Sequence, residues 1–149
     1  MTPVSRRAAT AAALALVLAT GAQAQERSAR ANYVLLCSGC HNVSGLGSEE
    51  GGIPAFPGSV GKIAAFDRGR TYMMHVPGVV SNSMSNAEIA AVMNYILDTW
   101  APEAGAAPFT AEEVTARRKL PIPDIVVERR EVTEELAAKG IDIATYPWP

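Results

Sequence analysis

Cys37-Ser38-Gly39-Cys40-His41 is the stretch of this sequence that constrains its chemistry and its fold most strongly. Two thiols separated by two residues, with an imidazole directly after the second, form the pattern that attaches haem c. Each sulfur bonds one vinyl group of the haem, and the imidazole nitrogen then binds the iron. The pattern therefore predicts one covalent haem c, attached through Cys37 and Cys40, with His41 as the proximal iron ligand.

Three other uses of a closely spaced cysteine pair compete with this interpretation. A thioredoxin-like redox pair needs a strand before the motif, whereas residues 27–39 have helical periodicity. A zinc site needs a second group of ligands, and His75 is the one other histidine of the chain. A structural disulfide in an oxidising compartment is the third alternative, and the sequence leaves it open.

The first 24 residues have the pattern of a secretory signal peptide. An arginine pair precedes the apolar run 8–20, and Ala22-Gln23-Ala24 follows as a small-x-small cleavage site. A membrane anchor is the alternative, but the run is shorter than the ~20 apolar residues that span a bilayer. We therefore expect general secretion to the periplasm with cleavage after Ala24. We expect no membrane span in the remaining chain.

Composition separates two parts of the remaining chain. Both cysteines and both histidines precede Trp100, whereas most prolines and acidic residues follow it. We therefore expect a haem domain over 25–100 and a C-terminal extension over 101–149, connected by an Ala- and Pro-rich linker over 101–108. The formal net charge of −2 argues against a nucleic-acid partner. The aromatic content of 6% is low for a core of this length, which fits a core partly filled by haem.

Helical patterns predominate, so the predicted fold class is all-α. The clearest helix covers 86–99, where Ser85 and Glu88 form a capping box. Met84 precedes that cap and is placed to pack on Ile89 as a hydrophobic staple. The other predicted elements are a helix over 27–39, mostly loop over 42–61, a helix over 60–66, a helix beginning at Thr110, and a partly helical region over 128–139 that ends at Gly140.

Residues 31–100 resemble the family of small monohaem cytochromes c. In that family an aromatic residue stands four positions before the first cysteine, as Tyr33 does, and the last helix of the haem domain carries an aliphatic-Tyr-aliphatic pattern, as around Tyr95. The resemblance implies a cytochrome c-like helical fold around one haem, with these two helices crossing. It also implies that a proline carbonyl accepts the ring N–H of His41, and Pro54 has the required spacing.

The second axial ligand of the iron is less constrained than the first. The family usually supplies a methionine ahead of the last helix, which makes Met74 the first candidate and His75 its alternative. For Met73 core packing is an equal alternative, and for Met84 it is the expected role. Arg68 and Arg70 suit the haem propionates, with a solvated loop charge as the alternative for each.

The resemblance implies a one-electron carrier without catalytic residues, not an enzyme. Its expected partners are periplasmic redox proteins, namely a dehydrogenase, an oxidase or other cytochromes. The extension over 101–149 is expected to wrap the haem domain or to dock on such a partner. The alternative function is a peroxidase-like haem enzyme or gas-binding sensor with an open sixth iron position.

Overall fold

The computed structural model describes residues 27–146, and within this range the chain is all-α, which confirms the predicted class. The expected signal peptide lies outside these residues. One isolated antiparallel bridge, Ser48 to Ile53, is the extended pairing found in this range. The helices are α1 (Ala29–Leu36), α2 (Ser38–His41), α3 (Val60–Ala64), α4 (Asp67–Met73), α5 (Pro77–Val80), α6 (Asn86–Trp100), a 3-10 turn (Pro102–Ala104), α7 (Ala111–Arg117) and α8 (Ile125–Ala137).

Helix α6 is the central element, and α1, α3 and α7 all pack against it. It begins as predicted, because the Ser85 side chain accepts from the Glu88 N–H while the Glu88 carboxylate accepts from the Ser85 N–H. Met84 and Ile89 are both buried beside this cap, as a hydrophobic staple requires. The helix buries one apolar stripe in the core, formed by Ile89, Ala90, Val92, Met93, Ile96 and Leu97.

Helix α1 packs against α6 through one polar and one aromatic contact. The Asn32 amide donates to the Glu88 carboxylate at 3.4 Å, and the Tyr33 and Tyr95 ring centroids are 5.6 Å apart. The predicted single helix over 27–39 is wrong in one detail, because Cys37 leaves helical geometry (φ −121°) between α1 and α2. The backbone bond from the Cys37 N–H to the Tyr33 carbonyl at 2.9 Å nevertheless keeps the two helices joined.

The segment after Trp100 closes over the helices before it. Phe109, Val114, Val132 and Leu136 are buried in the same hydrophobic cluster as the stripe of α6. The Asn94 side chain bonds both backbone groups of Phe109, accepting from the N–H at 2.7 Å and donating to the carbonyl at 3.0 Å. The predicted linker over 101–108 thus leads through one 3-10 turn into a docked segment.

Several boundaries differ from the prediction for local reasons. Helix α8 begins at Ile125 instead of 128, because the Asp124 side chain accepts from two N–H groups of its first turn. It ends before Gly140, whose φ of 71° stops a helix as predicted. No helix was expected between 67 and 80, yet α4 and α5 form there, with Pro77 at the first turn of α5. Within residues 27–146, none of the helices has the length and apolar character needed to cross a membrane.

Candidate functional site

The cysteine–histidine motif occupies one helical turn at the end of α1. The N–H groups of Cys40 and His41 both donate to the Cys37 carbonyl, at 3.2 and 3.0 Å. Cys37 is half-buried and Cys40 is exposed, and both sulfurs are free. The turn therefore presents two unbonded thiols and one imidazole on a short stretch of ordered backbone.

The electrostatics of the pair differ from those of a redox-active dithiol. Burial raises the pKa of the Cys37 thiol, and the neighbouring Cys40 adds to that effect. Reactive cysteines of thioredoxin type have a lowered pKa, because the thiolate is the attacking form. A helix also precedes the motif where a thioredoxin-like site has a strand. Both observations argue against the dithiol alternative.

The His41 ring lies in an aromatic and largely buried setting. It stacks on Phe56 with ring centroids 4.1 Å apart and an interplanar angle of 18°. Burial lowers the pKa of the His41 imidazole, and the backbone carbonyl of Pro54 opposes this by favouring the protonated ring. Nδ1 is buried without a hydrogen bond of good geometry. The Pro54 carbonyl is thus close enough to act on the ring, although Nδ1 itself has no hydrogen-bond partner.

Tyr33 contacts the backbone directly after the motif. Its hydroxyl donates to the Asn42 carbonyl at 2.6 Å, and its ring lies 5.0 Å from that of Trp100. Burial raises the pKa of Tyr33 to about 12, so the hydroxyl stays a proton donor at neutral pH. Trp100 also covers Gly45, where an added Cβ would lie 2.5 Å from the indole. The backbone at Asn42 and Gly45, just after the motif, is therefore held against aromatic side chains of α1 and α6.

Apolar side chains flank the motif on the surface. Leu35, Val43 and Leu46 are 64%, 66% and 60% exposed, and Val34 and Leu36 are also exposed. Single exposed apolar residues are ordinary, but five within thirteen positions form a local concentration. The motif therefore lies in a surface that an apolar group would cover favourably.

The candidates for a second iron ligand lie on and after α4. Met73, Met74 and Met84 are all buried in the hydrophobic core, and Met74 has no exposed surface. His75 follows α4 with its Nδ1 2.9 Å from the Thr71 carbonyl. Its Nε2 is buried without a hydrogen-bond partner. Three of the four candidates thus have a packing role, and the fourth carries an unbonded imidazole nitrogen.

Arg68 and Arg70 both form ion pairs with the C-terminal segment, residues 101–146. Arg68 donates to Glu128 at 2.9 and 3.1 Å and also pairs with Glu131. Arg70 is buried, donates to both carboxylate oxygens of Glu113 at 2.6 Å, and lies 3.8 Å over the Phe109 ring. Its Nη1 donates to the backbone carbonyls of Ala64 and Ala107. Both guanidinium groups are thus held by carboxylates, and the propionate role of Arg68 and Arg70 stays a prediction.

Two residues of the site escaped the sequence reasoning. Phe56 stacks on His41, and the Thr71 carbonyl orients His75. Phe56 lies in the glycine-rich loop, where no period connects it to the motif. A helical spacing of four residues connects Thr71 to His75, and it would have been readable if α4 had been predicted.

Comparison with known proteins adds no relative. No protein-family model, no curated protein and no solved structure matches the chain. Among residues 27–146, no group of three or more His, Cys, Asp or Glu side chains is placed to hold a metal ion by itself. The functional argument therefore depends on the motif and its surroundings.

Proposed function

We propose that this chain is an exported one-electron carrier that holds one haem c covalently. Cys37 and Cys40 would supply the thioether sulfurs, and His41 would supply the proximal imidazole. The observation that carries the proposal is the arrangement of these three side chains on one helical turn, with both sulfurs free. When bound, the haem supplies reversible one-electron chemistry at its iron.

The surroundings of the turn fit such a group. A buried imidazole nitrogen without a partner is costly unless something nearby satisfies it. Nδ1 of His41 is such a nitrogen, and the Pro54 carbonyl is close enough to influence the ring. A bond from Nδ1–H to that carbonyl would leave the other ring nitrogen unprotonated and free to bind iron. The exposed apolar side chains of Leu35, Val43 and Leu46 would contact the porphyrin or its edge.

The chain's own residues would then position the group and tune it. The stack of Phe56 on His41 restricts rotation of the ring. The Tyr33 hydroxyl fixes the loop that follows the motif. An apolar surface around a redox centre also suits a brief encounter with a periplasmic dehydrogenase, oxidase or other cytochrome, which buries a small interface.

One observation favours a second candidate function. Met73 and Met74 are packed in the hydrophobic core, so the thioether ligand that completes the iron in many carriers is engaged elsewhere. A haem iron without a second protein ligand binds small gases or peroxide. The second candidate is therefore a gas-binding or peroxidase-like haem protein. Rapid binding of carbon monoxide by the reduced, haem-loaded protein would favour it over the carrier.

The decisive experiment is expression with haem-attachment machinery, followed by denaturing electrophoresis and intact-mass measurement. We expect wild type to keep its colour under denaturing conditions and to gain the mass of one haem. The double variant C37S/C40S should have the mass of the bare polypeptide. Ser38→Ala is the matched control, because Ser38 lies on the same turn and its hydroxyl bonds only the Val34 carbonyl.

The outcomes separate the alternatives. Wild-type protein with the bare polypeptide mass after maturation would overturn the proposal and favour a disulfide-linked module. Such a module would change its electrophoretic mobility on reduction. Haem that remains covalently attached in C37S/C40S would show that attachment uses other residues.

A further inference from the structure

We infer that His75 is the second axial ligand of the haem iron, acting through Nε2, and that the C-terminal segment positions it through α4. The inference rests on the proposed function, since it concerns the same haem. It differs from the expectation based on the family resemblance, which placed Met74 first.

The contact between His75 and Thr71 orients the ring and fixes the tautomer of its neutral form. A carbonyl oxygen only accepts, so the 2.9 Å contact with the Thr71 carbonyl requires a proton on Nδ1. In the neutral ring, Nε2 is then the nitrogen with the free lone pair. That nitrogen is buried and has no hydrogen-bond partner. Metal-binding histidines commonly have this arrangement, with one nitrogen donating to a carbonyl and the other on the metal.

The neighbouring methionines are already used in packing. Met73 and Met74 belong to the buried cluster that also contains the apolar stripe of α6. Met84 packs beside the start of α6, next to Ile89. Drawing one of these thioethers out to an iron would open a cavity in the core. His75 carries a buried ring nitrogen without a hydrogen-bond partner, whereas the three methionines are held in the core by packing.

The backbone around His75 is also fixed. Its N–H donates to the Tyr72 carbonyl at 2.9 Å. Val76 is extended, with ψ at 145°, as a residue before proline must be. Pro77 then begins α5 directly. The imidazole therefore projects from a rigid connection between two helices, which is what a defined ligand position requires.

The C-terminal segment holds α4 in place through a charge network. Glu113 of α7 accepts from Arg70 at 2.6 Å and from Arg117 at 2.7 Å. Arg117 also donates to the Thr71 hydroxyl at 2.7 Å. Thr71 is the residue whose carbonyl fixes the His75 ring. The network thus connects the C-terminal segment to the proposed ligand through one residue, which makes Glu113 a positioning residue.

The ligand is tested by the spectra of the haem-loaded wild type. Near-infrared magnetic circular dichroism distinguishes two nitrogen ligands from one nitrogen and one thioether. We expect the signature of two nitrogens in wild type and in Met74→Leu. His75→Ala should become high-spin, and added imidazole should restore the low-spin spectrum.

A thioether signature in wild type that Met74→Leu abolishes would overturn the inference. So would a low-spin spectrum that His75→Ala leaves unchanged. The wild-type spectrum decides the question even where His75→Ala does not fold. Absence of covalent haem is a different result, because it contradicts the proposed function itself.

The positioning role needs a readout that loss of stability alone does not move. Glu113→Gln should shift the low-spin electron paramagnetic resonance signal and the reduction potential, and Glu113→Asp should partly restore both. Glu134→Gln is the control, because it makes the same exchange at an exposed position of α8. A lower Tm in Glu113→Gln with an unchanged signal and potential would show that Glu113 acts on stability alone.

Discussion

The motif loop, residues 37–58, and the C-terminal segment, residues 101–146, are built in opposite ways. The loop has little regular structure and leaves Val43 and Leu46 exposed beside an imidazole nitrogen without a partner. The C-terminal segment contributes four buried apolar side chains to the core and pairs the charges of Arg70 and Arg117. Arg70 and Arg117 thus have partners within the protein, although Nε of Arg129 does not, whereas the motif loop leaves groups that a bound apolar cofactor would cover. This difference is what the proposed haem site predicts.

The difference also separates stability from function. A buried arginine such as Arg70 is tolerated only where carboxylates and carbonyls satisfy it, and removing one partner leaves an uncompensated charge. The C-terminal segment supplies those partners. We therefore expect it to contribute most of its stability in haem-free and haem-loaded protein alike, whereas the motif loop should depend on the haem.

The largest effect is expected from Phe109→Ala. This ring is buried against α6 and lies 3.8 Å beneath the Arg70 guanidinium. Truncating a buried phenylalanine costs about 3–5 kcal/mol of unfolding free energy, because it leaves a cavity. Urea unfolding of C37S/C40S and of the haem-loaded protein should show the same loss in both backgrounds.

Leu120→Ala is the control for this measurement, because Leu120 is exposed and an exposed substitution usually changes stability by less than ~0.5 kcal/mol. A loss of stability confined to the haem-loaded protein would contradict this expectation. It would mean that the C-terminal segment docks only after the haem is attached.

Local patterns in the sequence predicted the elements that local interactions form. The capping box of Ser85 and Glu88 satisfies its own N–H groups within four residues, so it could be read directly. The pair of Arg70 and Glu113 spans 43 positions. Nothing in either local sequence identifies the other, so the sequence left Arg70 as a solvated charge or a partner of a haem propionate. The tertiary structure, and not a local sequence pattern, brings these two residues together.

The sequence predicted the motif itself but not the tertiary contacts around it. The spacing of Cys37, Cys40 and His41 identified a candidate site without any structure. The stack of Phe56 on His41 depends on how an irregular loop returns, which residue spacing does not encode. The sequence left Met74 as a candidate ligand, because its burial depends on tertiary packing in the hydrophobic core. The sequence therefore predicted the residues of the candidate site but not the side chains that surround them.

A smaller effect is expected from Gly47→Ala in the motif loop. Gly47 has a φ of 67°, and an added Cβ would lie 2.1 Å from the Ile53 carbonyl oxygen. We expect a loss of about 2–3 kcal/mol, since left-handed backbone and a steric clash both contribute. Gly58→Ala is the matched control, because Gly58 has a similar φ of 73° and open space around it.

The control should lose about 1 kcal/mol from backbone strain alone. The yield of covalently attached haem should fall in Gly47→Ala and not in Gly58→Ala, because only Gly47 contacts the segment that leads to Pro54. Equal effects of the two substitutions on stability and on haem yield would show that the loop is not shaped by this contact.

Glu113 should also make the stability of the protein depend on pH. The hydrogen bond from Arg70 lowers the pKa of Glu113 to about 2, with Arg117 contributing and burial opposing. A carboxylate with a lowered native pKa contributes its full stability above its unfolded pKa near 4.5 and loses it as pH falls toward 2. Stability of wild type should therefore fall more steeply than that of Glu113→Gln between pH 5 and pH 2, so the difference between them shrinks. Glu134→Gln, an exposed change on α8, should follow the wild-type profile. If the pH profiles of stability measured by urea unfolding were parallel for wild type and Glu113→Gln, the arginines would not stabilise the carboxylate. The charge network would then not contribute to the stability of the C-terminal segment.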